Sequence, residues 1–464
     1  MRRLVRILLS VVLGLAIPAA VLGAGFVVTM GRDFTVHNGS AESAEAASAA
    51  AREPAAPAGG SGRIPVAVLL GANGSVATDV LGPYDVLADS ARFDVYTVSV
   101  HAEPVALSGG LTAVPDHTTD DVRNGRAPLP RIVVVPAFTD PAGTDEAPLR
   151  DLVERVHDTG GLVVSVCAGA RVLAQTNVLD GRRATSFWSD LPGLRRSHPR
   201  TTWVAGVRWV QDGNVMTTAG VSSGIIGSLH LVQQFAGADE ARRIGARLHY
   251  PGWDPSTTTA PAIPARQVSA ADYPYALHAT LPWFQPTYGL GLTEGVDEID
   301  VAAVAELYGA VAFTAHVVPV APQPIVTTAH GLRLLATPIG RAPALDRLVV
   351  PGVRETTLAA GGVPTWLPQA EARPGDSAFD PVLRDIAAAD GRAVAATAAK
   401  YLEYPVPALP DRTGRPWRII GLVAGLVVLA AAGAVVPLRV RRRRVQPGPG
   451  SESCAPPGSP SVSA

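Results

Sequence analysis

The sequence predicts a doubly wound α/β fold, then a second and degenerate α/β half-copy, with an apolar span near each end of the chain. Three observations lead to this prediction. Short apolar strands alternate with helices between Arg63 and Tyr250, an order typical of a mainly parallel sheet covered by helices. Similar landmarks return after Gly289, and long charge-free runs lie near both termini.

Two apolar runs predict transmembrane helices. The run from Ile7 to Met30 follows three arginines and exceeds the ~20 residues that span a bilayer. We expect an uncleaved anchor, although the segment 16–20 leaves removal as a signal peptide open. The run from Ile419 to Leu438 precedes an arginine cluster. That cluster could instead contact nucleic acid or anionic lipid. As a topology signal it places both termini in the cytoplasm and the central domains outside the cell membrane.

Composition and these spans divide the 464 residues into eight segments. The stretch before the first strand is rich in Ala, Ser, Glu, Pro and Gly, as flexible linkers are. The predicted segments are 1–30, an N-terminal transmembrane anchor; 31–62, a flexible stalk; 63–250, the α/β domain; 251–288, a linker; 289–404, the degenerate half-domain; 405–418, a second stalk; 419–438, the C-terminal transmembrane helix; and 439–464, a basic, disordered cytoplasmic tail.

The first domain contains the strands and helices of a doubly wound sheet, in which the crossovers are right-handed. Apolar, β-branched runs predict buried strands, and two runs split by Gly109-Gly110 predict a hairpin. The predicted elements are strands 64–70, 93–100, 105–107, 111–114 and 131–136, a helix that Asp79 opens, and a helix over 146–157.

A nucleophile elbow is predicted at Cys167. The apolar strand 162–166 ends there, and Ala168-Gly169-Ala170 are small enough to let the chain turn sharply into a helix. The helix dipole would then favour a thiolate. A small hydrophobic residue at a strand end is the alternative interpretation, since free cysteines are commonly buried.

Asp79, the Pro136-Ala137-Phe138 turn and Cys167 each follow a predicted strand. The carboxyl ends of such strands meet at one edge, so these residues can converge there in space. Taken alone, Asp79 would be interpreted as a helix N-cap. Together with Cys167, it indicates a functional pair.

With these motifs in place, the chain resembles the ThiJ/PfpI (DJ-one-like) superfamily, whose fold is flavodoxin-like and class I glutamine-amidotransferase-like. The resemblance covers about Ile64 to Leu248 and is closest to the branch of isonitrile hydratase and of the sensor domains of amidase-like transcriptional regulators. The matching stretches are 79–87, 165–169, 180–185 with Trp188, 218–224 and 229–232.

The resemblance implies that Cys167 is the nucleophile and Asp79 the acid that hydrogen-bonds to it. The N–H of Ala168, with that of Ala137 or Phe138, would form an oxyanion hole. Three departures argue against full activity. The family's Pro-Gly-Gly turn reads Pro-Ala-Phe, no His follows Cys167, and Ile226 stands where related regulators often carry Asp.

The second copy repeats the landmarks of the first in the same order. Asp300 takes the place of Asp79, and Leu345–Gly352 parallels 130–137. Registering Gly391 on Gly161 puts Thr397 in the place of Cys167. We therefore expect a non-catalytic half that completes a pseudo-dimer or covers the first cleft.

Several function classes stay open. We expect no metal and no cofactor, because no His or Cys spacing is typical of metal ligands. A net charge of −1 and the lack of a helix-turn-helix pattern argue against a nucleic-acid partner. A small-molecule substrate or ligand, the membrane, and a homodimer or internal pseudo-dimer are the expected partners. Whether the chain is an enzyme is left open between a cysteine-dependent hydrolase or hydratase, a ligand sensor and a redox sensor.

Overall fold

The computed structural model describes residues 2–33, 62–251, 253–254, 256, 260–406, 408–409, 421, 424–432 and 434. One compact unit spans Ala24–Ile419 and contains every strand that the structure describes. The other unit consists of Met1–Gly23 and Ile420–Ala464. The predicted tail 439–464 and most of both predicted stalks lie outside the described residues.

The first α/β region is built on a seven-stranded sheet. Its strand segments are β1 Ile64–Leu69, β2 Phe93–Ser99, β3 Val105–Leu107, β4 Leu111–Val114, β5 His117–Thr118, β6 Ile132–Val135, β7 Leu162–Ser165, β8 Arg183–Ala184, β9 Thr202–Trp203, β10 Trp209–Asp212 and β11 Val215–Thr218. The sheet has the order β10-β11-β7-β6-β1-β2-β5. Only β10 runs antiparallel to its neighbour. The predicted hairpin is confirmed as the antiparallel pair β3–β4.

Helices cover this sheet on both faces. Alternate residues of β1 point to opposite sides, Val66 into one apolar cluster and Ala67 into another, as expected from the period of a strand. The helices from the N-terminus to the end of this region are α1 Arg2–Asp33, α2 Ala77–Ala88, α3 Thr119–Arg123, α4 Ala147–Asp158, α5 Ala170–Leu173, α6 Leu191–Ser197, α7 Ser223–Ala236 and α8 Ala238–Leu248. The predicted doubly wound α/β fold is confirmed here.

The second α/β region has a five-stranded parallel sheet. Its elements are helix α9 Tyr273–Thr280, strands β12 Thr287–Gly291, β13 His316–Ala321, β14 Ile325–Thr327, β15 Arg333–Leu335, β16 Thr337–Pro338, β17 Arg347–Val349 and β18 Thr365–Trp366, and helices α10 Glu298–Ala305, α11 Phe379–Ala389 and α12 Arg392–Tyr401. The sheet order is β16-β13-β12-β17-β18. This order matches five neighbouring strands of the first sheet, so that β16, β13, β12, β17 and β18 occupy the positions of β5, β2, β1, β6 and β7.

The expected second elbow is not present at Thr397. This residue lies inside helix α12, and its hydroxyl donates to Asp272 over 3.3 Å. The segment 392–401 is rich in alanine, the residue with the highest helix propensity. Propensity therefore overrides the short resemblance to a strand and turn.

The two regions share apolar and hydrogen-bonded contacts. Strands β15 and β4 pair across the boundary in a four-stranded sheet of order β14-β15-β4-β3. Helix α2 packs against α10. The approach is close enough that a Cβ added to Gly109 would lie 2.4 Å from the carbonyl oxygen of Ala305. One apolar cluster contains residues from both regions, so they bury a common core.

One helix among the described residues, Ser10–Arg32, is long and apolar enough to cross a membrane. A signal sequence near the N-terminus meets the same criterion. Of the predicted C-terminal span, residues 424–432 are helical, and much of the remainder lies outside the described residues.

Candidate thiol site

Cys167 lies on a sharp turn at the end of β7. Its φ of +55° is in the left-handed region, which costs energy for a residue with a side chain. A 3₁₀ turn, Cys167–Gly169, leads directly into the short helix α5. A Cβ on Gly169 would lie 2.1 Å from the carbonyl oxygen of Val135. The turn therefore requires glycine at this position, because any side chain would collide with the neighbouring strand.

Asp79 reaches the same edge of the sheet from helix α2. Its side chain is fully buried, and its Oδ2 accepts a hydrogen bond from the N–H of Ala137 over 3.1 Å. Among the described residues, Oδ1 has no partner with hydrogen-bond geometry. The N-cap of α2 is Val76, so Asp79 is not the capping residue. A buried, unpaired carboxyl oxygen is costly, which makes it a candidate for a functional role.

Burial raises the pKa of both groups. The pKa of Asp79 is well above its usual value because the carboxyl is desolvated, while the Ala137 N–H and a polar contact with the Cys167 thiol lower it in part. Burial, and next the charge of Asp79, raise the pKa of the Cys167 thiol well above its usual value. The expectation that the helix dipole favours a thiolate is therefore wrong, since α5 has only four residues and desolvation outweighs it.

The three expected oxyanion donors differ in what they contact. The N–H of Ala168 hydrogen-bonds to the sulfur and lowers the pKa of Cys167. The N–H of Ala137 instead donates to Asp79. The carbonyl oxygen of Ala137 accepts from the N–H of Val76 over 3.0 Å. Phe138 forms a β-bridge with Ser75, and its ring is buried. The Pro-Ala-Phe turn thus holds the Asp79 carboxyl, and Ala168 supplies the donor at the sulfur.

A carboxyl from the second region, Glu306, holds the helix that carries Asp79. It follows α10 and is almost completely buried. Its Oε2 accepts from the N–H of Thr78 over 3.1 Å and from the Ser108 hydroxyl over 3.0 Å. The Glu306 charge also raises the pKa of Asp79. No local pattern predicts this contact, because Glu306 is 228 residues from Thr78.

A second acid of the second region, Glu403, lies at the loop after β11. It has a left-handed φ of +54° and is 1% exposed. Its Oε2 accepts from Gly220 N–H over 2.7 Å and from the Ser223 hydroxyl over 3.1 Å. Nearby, Tyr401 packs its ring against Trp188. Sequence reasoning missed Glu403, because no motif surrounds it.

Asp300 contacts an amide and not a thiol. Its Oδ1 accepts from the Gln369 side-chain nitrogen over 2.8 Å, and the Gln369 side-chain oxygen accepts from Gly352 N–H over 2.9 Å. These residues line a cavity of about 710 Å³. Burial raises the pKa of Asp300 to about 7. Gln369, and not Thr397, is thus the residue beside Asp300.

Among the described residues, one group of side chains could hold a metal ion, and it includes neither Cys167 nor Asp79. It consists of Asp85, Asp297, Glu298 and His330. Arg247 already forms ion pairs with Asp85 and Asp297, and Nδ1 of His330 lies 2.7 Å from Glu298. The ion pairs of Arg247 therefore balance part of the negative charge of this group.

Comparison with known proteins identifies the first region. Residues 65–234 match the model of the DJ-1/PfpI family. Isonitrile hydratase of Pseudomonas putida is 34% identical over 176 residues, which cover 37% of this chain and 72% of the hydratase. The chain belongs to the DJ-1/PfpI family. The family match ends before the second region begins.

Two further proteins are similar to part of this chain. The HTH-type transcriptional regulator CdhR of Pseudomonas aeruginosa is 27% identical over 157 residues, 34% of this chain and 44% of the regulator. A DJ-1 superfamily protein of Salmonella typhimurium, with a solved structure, is 26% identical, with a TM-score of 0.36 over 41% of this chain and 100% of that one.

Proposed function

We propose that the protein is a membrane-anchored, extracytoplasmic DJ-1/PfpI protein in which Cys167 acts on a small molecule as the nucleophile of a hydratase or hydrolase. The observation that carries this proposal is the left-handed elbow of Cys167 beside a buried carboxyl, Asp79, whose Oδ1 has no hydrogen-bond partner in the part of the chain that the structure describes. The substrate class is a small molecule with an electrophilic carbon bonded to nitrogen or oxygen.

The proposed reaction uses Asp79 as a proton carrier. The Cys167 thiol transfers its proton to the Asp79 carboxylate as its electron pair forms the S–C bond. In an isonitrile the electron pair on the carbon takes the proton from Asp79, and in a nitrile the π pair of the C–N bond moves to the nitrogen, which takes that proton; either way a thioimidate forms. In an amide the amine nitrogen takes the proton from Asp79 and leaves, so a thioester forms. Water then adds to the carbon and the sulfur leaves as the thiol, with Asp79 moving protons in both steps. A carboxyl whose pKa is raised by burial is suited to both roles.

The relatives support the choice of reaction. The P. putida relative is named for the hydration of isonitriles, a reaction at a carbon bonded to nitrogen. An activity of that class on a small nitrogen-containing substrate is therefore the first to test for this chain. The substrate itself is part of the proposal.

A non-catalytic ligand sensor or redox sensor is the second candidate. It is favoured by the raised pKa of Cys167 and by the Ala137 N–H, which donates to Asp79 and not to the thiol. The raised pKa weakens the redox version, because oxidation proceeds through the thiolate. Ligand binding without turnover is the stronger form of this alternative.

The arrangement of the chain is also part of the proposal. We infer that the second region is a degenerate copy that forms an internal pseudo-dimer with the first, and its parallel strand order and the α2–α10 packing support this. Apolar spans with arginines on their outer sides support a location in the cell membrane with both termini cytoplasmic.

The proposed function is tested by trapping a covalent intermediate. The full-length chain is incubated with a panel of small isonitriles, nitriles and amides, and intact mass and product formation are measured in parallel with Cys167→Ser. Turnover or an adduct on Cys167 that is lost in the variant supports the enzyme. Saturable binding that persists in Cys167→Ser, with neither adduct nor product, supports the ligand sensor.

A further inference from the structure

Two carboxyls lie on opposite sides of the Cys167 thiol. Strands β6 and β1 lie on one side of β7, and helix α2 after β1 carries Asp79. Strand β11 lies on the other side, with Thr217 paired to Ser165. Gly220, which follows β11, is therefore near the level of Cys167, which follows β7. Because Gly220 donates to Glu403, the Glu403 carboxyl stands at this edge, one strand away from the sulfur.

Each carboxyl has one satisfied and one unsatisfied oxygen. Oε2 of Glu403 accepts from two donors, Gly220 and Ser223, whereas its Oε1 is buried and has no partner among the described residues. Oδ1 of Asp79 is in the same state. A buried acceptor without a donor is costly. A ligand that supplies N–H or O–H groups would complete both acceptors at this edge.

The charges around Glu403 also favour such a ligand. Arg208 donates through Nη1 to the Glu403 carbonyl oxygen over 2.8 Å, and the charges of Arg208 and Arg266 lower the pKa of Glu403, although burial raises it overall. The negative charge of Glu403 in turn raises the pKa of Cys167 and of Tyr250. Glu403 therefore adds negative charge near the thiol and offsets part of the positive charge of Arg208 and Arg266.

We propose that Glu403 is a specificity-determining residue of the thiol site, which binds an N–H or O–H donor of the substrate through Oε1 and disfavours carboxylates. The second region would thus supply part of the binding site of the first. This inference rests on the proposed function, since it requires small molecules to reach Cys167.

Two nearly isosteric alkylating agents test the proposal. Iodoacetamide carries an N–H₂ donor, and iodoacetate carries a carboxylate that only accepts. Their rates on Cys167 are measured by peptide mass spectrometry of the full-length chain at about pH 8.5, the reference pKa of a free cysteine, and are divided by the rates on the unfolded chain. The preference for iodoacetamide is expected to fall about tenfold in Glu403→Gln, because the amide can donate to a carboxylate. Glu371→Gln, an exposed glutamate of the same region, is the matched control.

Glu403→Asp separates this role from a structural one. It keeps the carboxylate, so the preference for iodoacetamide is expected to persist, and thermal melting verifies that each variant is folded. An equal loss of preference in Glu403→Asp and Glu403→Gln, or a Glu403→Gln ratio within about twofold of the unmodified chain, overturns the role of Glu403. If neither reagent modifies Cys167 in the folded chain, the proposed function fails and this inference fails with it.

Discussion

The two α/β regions place an aspartate at the same edge of their sheets but give it different partners. In the first sheet Ile132 pairs with Val66, and Val134 pairs with Val164. In the second, Arg347 pairs with Tyr288, and Val349 pairs with Trp366. By these pairings Ile132 corresponds to Arg347, and Val164 corresponds to Trp366. Cys167 lies three residues after Val164 and Gln369 three residues after Trp366, so Cys167 corresponds to Gln369. The same register places Ala137 on Gly352.

This difference shows at which sheet edge the hydrogen bonds of the aspartate and its partner are satisfied without a ligand. The Gln369 amide donates to Asp300 and accepts from Gly352, so both ends of the amide are satisfied. The Cys167 thiol is smaller and a weak donor. It makes a polar contact with the Asp79 carboxyl, but among the described residues Oδ1 has no partner with full hydrogen-bond geometry. An acid paired with an amide is stable as it stands, whereas an acid beside a thiol retains unused hydrogen-bonding capacity. This contrast favours the first edge as the functional one.

The largest effect is expected at the turn after β7, where a side chain has less room than in the corresponding turn after β18. Gly169 has no room for a side chain, whereas Glu371, its counterpart in the register above, is exposed. We expect Gly169→Ala to lower the free energy of unfolding by about 3 kcal/mol, because its Cβ would overlap the Val135 carbonyl. Glu371→Ala should change it by less than about 0.5 kcal/mol. Urea unfolding of both variants checks this, and equal losses would show that the first turn is not constrained.

A smaller effect is expected from the charge beside the thiol. Asp79 is ionised at the alkaline pH where a buried thiol loses its proton, and its charge raises the pKa of Cys167. In Asp79→Asn the thiolate should therefore form at a lower pH than in the unmodified chain. The rate of Cys167 alkylation by iodoacetamide, measured against pH, gives this midpoint.

The control for this titration is Asp300→Asn, which removes the corresponding charge from the other edge. We expect its alkylation curve to coincide with that of the unmodified chain. A Cys167 curve that does not move in Asp79→Asn would mean that thiol and carboxyl are uncoupled, and the proposed proton transfer would lose its basis.

The sequence predicts the first region better than the second for physical reasons. Strand ends of a parallel sheet meet at one edge, so Asp79 and Cys167 could be related from their position after apolar runs. Gln369 could not be found this way, because β18 is only two residues long and Thr397 offered a closer match in composition. Glu403 reaches the site from a segment 183 residues beyond its partner Gly220. Such contacts depend on tertiary packing, which no local pattern reports.

The smallest effect concerns the pH dependence of stability at the second edge. The pKa of Asp300 is raised from 3.8 to about 7, so its contribution to stability is fully present below about pH 4 and is lost as the pH rises through about 7. A shift of this size corresponds to roughly 4 kcal/mol. Because Asp300 is partly exposed, solvent screening reduces this, and we expect about 1 kcal/mol.

Asp300→Asn cannot ionise and should lose this dependence. Relative to the unmodified chain, its free energy of unfolding should rise by about 1 kcal/mol between pH 4 and pH 8, as measured by urea unfolding at both values. Gln369→Glu sharpens the comparison, since it removes the N–H₂ donor and adds a second carboxyl, which should steepen the loss of stability with pH. A parallel pH profile for Asp300→Asn and the unmodified chain would show that Asp300 is ionised at no cost, and the second edge would then not be the satisfied counterpart of the first.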